Sequence, residues 1–93
     1  CFGQPTKSMS DLIDEQHRGA RAASILREPL VIEAFEELRK TYVSGWSGSD
    51  PSDTDFREQC FHLLKALEAF EQHFESAVQT GKMASQQMEA LRK

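Results

Sequence analysis

The sequence predicts an all-α fold in which two short helices fold back on one long helix, a hairpin or small bundle completed by oligomerisation. Three observations carry that prediction. Apolar and small residues recur at Phe56, Cys60, Leu63, Leu67, Phe70, Phe74, Ala77, Gly81, Ala84, Met88 and Leu91. They step four and three without a slip, the coiled-coil spacing that keeps one stripe of a helix against a partner. A second, shorter pattern changes phase at Pro29, and a run dense in Gly, Ser, Asp and Pro at 44–51 is the clear loop. Helices are therefore expected over 10–27, 29–45 and 53–91 of one domain, 9–93. Residues 1–8, which carry no periodicity, are read as a leader or disordered arm.

The first helix has a start signal in Ser8 and Asp11, which stand at capping-box spacing with Asp in place of the usual Glu. Asp11, Asp14 and Glu15 put negative charge near its N-terminus, where the helix dipole favours it. Its apolar face reads Leu12, Gln16, Gly19, Ala23 and Leu26. The small centre of that face predicts a close approach to a bulkier helix. Pro29 lacks an amide hydrogen and disfavours helical geometry at Glu28, yet suits the first turn of a new helix. The second stripe runs through Val31, Phe35, Leu38, Tyr42 and Gly45. Trp46 falls at the mouth of the loop, where it either packs over the hairpin end or offers an exposed anchor to a partner.

Ser52 and Asp55 repeat the capping-box spacing and are expected to start the long helix. Gly81 could terminate it. The stripe continues in phase through Ala84, Met88 and Leu91, however, and a glycine inside a helix costs only ~1 kcal/mol. Continuation is the expectation. The stripe then extends ~54 Å, and its last third is predicted to need cover from another subunit.

Composition excludes several functions. The chain has 93 residues with 11 Lys+Arg against 15 Asp+Glu, a formal net charge of −4. That balance argues against nucleic acid as main partner. Arg18, Arg21 and Arg27 could still form a local basic strip, which keeps a weak nucleic-acid accessory role as an alternative. No run approaches the ~18 apolar residues of a membrane span. The cytoplasm is the expected location.

Chemistry is hard to place on these residues. Cys60 and His62 are two apart on a helix and point to nearly opposite sides. Cys60 reads as a small core hydrophobe. His62 and His73 stand three turns apart, ~16 Å, too far to share an ion. The Glu-x-x-His pattern of di-iron bundles is missing, since Gln59 and Phe70 precede the two histidines at that spacing. Phosphate loops, nucleophile elbows and zinc spacings are not found in the sequence. No catalytic residue, metal ligand or cofactor is expected.

A tryptophan closing the second helix, a short polar loop, Asp55 and Arg57-Glu58, then Gly81-Lys82 far along the last helix form a pattern. So do the small-residue first helix with Arg18, Ala20 and Ala22, and Leu-Arg-Glu-Pro-Leu at 26–30. Together they resemble a group of small helical proteins encoded among the virion-structure genes of tailed bacteriophages and prophages. The likeness spans roughly 9–88, although this loop is richer in glycine than that group's. It implies a phage accessory or morphogenesis protein and supplies no site.

The expected role is thus non-enzymatic protein interaction: virion assembly or a minor virion component, self-associating through the helical stripe. The interaction residues are Trp46, Cys60, Leu63, Leu67, Phe70, Phe74, Met88 and Leu91. Partners are a second copy, other phage structural proteins or, alternatively, a host protein held by a regulatory binder.

Overall fold

Ser8 opens the first helix. Its hydroxyl accepts the Asp11 N–H at 3.1 Å, and the Asp11 carboxylate accepts the Ser8 N–H at 3.3 Å, the reciprocal box that the spacing predicts. The computed structural model describes residues 7–92. Among them are α1 (Met9–Arg27), α2 (Pro29–Ser47) and α3 (Thr54–Arg92), and no strand. Of the presumed leader, residues 1–6 lie outside the described range. Lys7 and Ser8 lie inside it and are tied to α1, Lys7 through a 2.7 Å ion pair with Glu15.

A single residue separates α1 from α2. Glu28 is extended, with φ −69° and ψ 122°, and its carboxylate accepts the N–H groups of Leu30 (2.7 Å) and Val31 (3.1 Å). It does the work of an N-cap, with Pro29 in the first turn where its missing N–H costs nothing.

Two local expectations are corrected at the far end of α2 and the start of α3. The helix runs past 45 to Ser47, so Trp46 belongs to its last turn rather than to the loop. Packing explains the extension: a Cβ on Gly45 would sit 3.2 Å from Cys60 Sγ, so the glycine lets α2 stay close against α3. The helix stops at Gly48, whose N–H reaches Ser44 O at 2.9 Å. The cap of α3 is Asp53, whose carboxylate accepts the Phe56 N–H at 3.3 Å, not Ser52. Ser52 is occupied elsewhere. Its N–H and hydroxyl both donate to Asp50 Oδ1, at 2.9 and 2.7 Å, a side-chain turn that completes the loop.

From Thr54, α3 continues unbroken through Gly81 to Arg92, 39 residues or about 58 Å. The chain divides into two compact units. In one, α1 up to Ile25 packs on α3 from Phe74 onward. Leu12, Gly19, Ala22, Gly81 and Ala84 are its buried residues. A Cβ on Gly19 would lie 2.8 Å from Gly81 Cα and 2.9 Å from Ala77 O. The two backbones therefore touch, glycine against glycine. This corrects one expectation, since the small face of α1 meets another small face rather than a bulky one, and α1 covers Gly81 and Ala84 of the last third of α3 while Met83 and Leu91 stay exposed. Gln16 Nε2 donates across this crossing to Ser85 Oγ at 2.9 Å.

The other unit, Leu26–His73, is the hairpin of α2 and the first half of α3. Phe35, Cys60 and Leu67 are buried in it. Arg39 and Glu71 close one flank with a 2.8 Å ion pair. Phe35 and Phe70 meet with ring centroids 6.0 Å apart.

Candidate interaction surface

Two helices packed as a hairpin hide one stripe each, and the positions beside that stripe stay open. In the Leu26–His73 unit the open positions are large and apolar. Leu63 and Phe70 of the long stripe are 45% and 59% exposed, while Cys60 and Leu67, alternating with them, are buried. Leu38, placed by periodicity on the inward stripe of α2, is 41% exposed. Each of the three lies three positions after a buried or half-buried residue: Leu38 after Phe35, Leu63 after Cys60, Phe70 after Leu67. A three-residue step turns a side chain by about 60° in the same sense on every helix, and in an antiparallel pair that sense leads to the same side. Contacts fix the register: Gly45 faces Cys60 and Phe35 faces Phe70. Leu38 therefore falls at a level between Leu63 and Phe70, and the three form one patch.

Trp46 sits near the loop end of this hairpin. It is 46% exposed, and the Arg57 guanidinium lies 5.0 Å from its ring centroid, a cation–π contact that holds the indole without hiding it. Trp46 therefore packs under Arg57 at the hairpin end and keeps part of its indole exposed.

In the other unit, Met9 and Ile13 of α1 and Met88 of α3 line a cleft of about 480 Å³, rimmed by Gln16, His17, Ser85, Glu89 and Arg92. Met88 is half-buried there, Phe74 is half-buried, and Leu91 is exposed near the C-terminal end of α3.

The candidate residues therefore separate. Leu63 and Phe70 share one patch, Trp46 lies toward the loop end of the same hairpin, and Met88 lines a cleft in the other unit. Cys60 and Leu67 are corrected outright as contacts for a partner, because the chain's own core already takes them up. Leu38 is the residue that sequence reasoning misassigned. Its signal was present in the three-step spacing from Phe35, but periodicity alone cannot tell the centre of a stripe from its edge.

His17, His62 and His73 occupy exposed positions. No group of three His, Cys, Asp or Glu gathers to hold an ion among the described residues. The loop carboxyl of Asp50 is held below its ordinary value of 3.8, first by the Ser52 N–H and then by the Ser52 hydroxyl, both of which favour the ionised form. No described helix is long and apolar enough to cross a membrane. No protein-family model, curated protein or solved structure matches the chain.

Proposed function

We propose that the chain is a non-enzymatic protein-interaction module, self-associating and serving tailed-phage assembly as an accessory, morphogenesis or minor virion protein. The observation that supports the interaction role is the partial exposure of Leu38, Leu63 and Phe70 on one side of the hairpin. Clustered apolar side chains at such exposure mark surfaces made for another protein. The phage setting rests on the likeness of Trp46, Asp55, Arg57-Glu58, Gly81-Lys82 and the 26–30 run to the small phage helical proteins. The host cytoplasm, with passage into the particle, is the place of action that this reading implies.

An antibody against the chain, applied to gradient fractions of source cells after prophage induction, tests the setting. The expected result is co-sedimentation with particles or their assembly intermediates. Exclusive recovery in a small complex with a host protein would replace assembly with host regulation.

A further inference from the structure

We draw no further inference here: the strongest candidate, the cleft that Met9 and Ile13 of α1 form with Met88 near the end of α3, is an open apolar groove, and nothing in the structure shows what covers it.

Discussion

The crossing of α1 on α3 and the hairpin of α2 with α3 solve the same problem with opposite materials. At the first, Gly19 and Gly81 bring two backbones into contact, and Ala22 and Ala84 are almost wholly buried. Little side-chain volume is needed, because helices that approach this closely leave little space between them. At the second, the buried side chains are the larger Phe35, Leu67 and Cys60, and Leu38, Leu63 and Phe70 stand partly exposed at its edge. The contrast shows that side-chain size at the contact sets how closely two helices approach. Both pairs keep exposed apolar side chains beside the contact: Met9, Ile13 and Met83 at the glycine crossing, and Leu38, Leu63 and Phe70 at the hairpin.

The strongest way to break the hairpin side is Phe35→Ala, which removes its largest buried side chain. A loss of about 3–4 kcal/mol is expected, read by urea denaturation at fixed protein concentration. Next comes Gly19→Ala, which inserts a methyl group against backbone that cannot rotate away. Alanine raises helix propensity by ~1 kcal/mol, but overpacking costs more, and a net loss of about 1–2 kcal/mol is expected in the same assay. Asp53→Ala removes the cap of α3 and should cost about 1 kcal/mol. Hydrogen exchange should quicken in the first turn of α3 while the amides around Gly81 keep their protection.

Gly45→Ala sharpens the comparison most directly, because it is the same change as Gly19→Ala with the opposite expected sign. Its Cβ meets only the Cys60 sulfur, at 3.2 Å, and a side chain can shift by a few tenths of an ångström. The gain in helix propensity then prevails, and stability should rise by a few tenths of a kcal/mol, within the ~1 kcal/mol that propensity allows. A loss comparable to that of Gly19→Ala would mean that the hairpin is as tightly closed as the glycine crossing. The smallest effect concerns the loop. Asp50 titrates below 3.8 in the folded chain, so its stabilising contribution is full above that pH and is lost as pH falls through the lower folded value. Carboxyl-resolved NMR should show the depressed titration of Asp50, and Ser52→Ala should return it toward the ordinary value.

Much of this architecture was legible in the sequence, and for a local reason. Helix number, the break at Pro29, the Ser8–Asp11 cap and the passage of α3 through Gly81 all follow from backbone chemistry and a periodicity repeated within a few residues. Even the misread ends were near misses: Trp46 joined α2, whose Gly45 lies against Cys60, and Asp53 displaced Ser52 because Asp50, two residues back, already holds the Ser52 N–H and hydroxyl. Only the tertiary structure decided what covers each stripe. A step of four and three marks Cys60, Leu63, Leu67 and Phe70 as one face, yet α2 is narrow enough to bury two of them and leave two open. It also decided that Gly19 and Gly81, more than sixty residues apart, are each other's partner. Periodicity encodes which side of a helix wants cover; distance and angle between helices, set by contacts remote in the chain, determine how much of it is found.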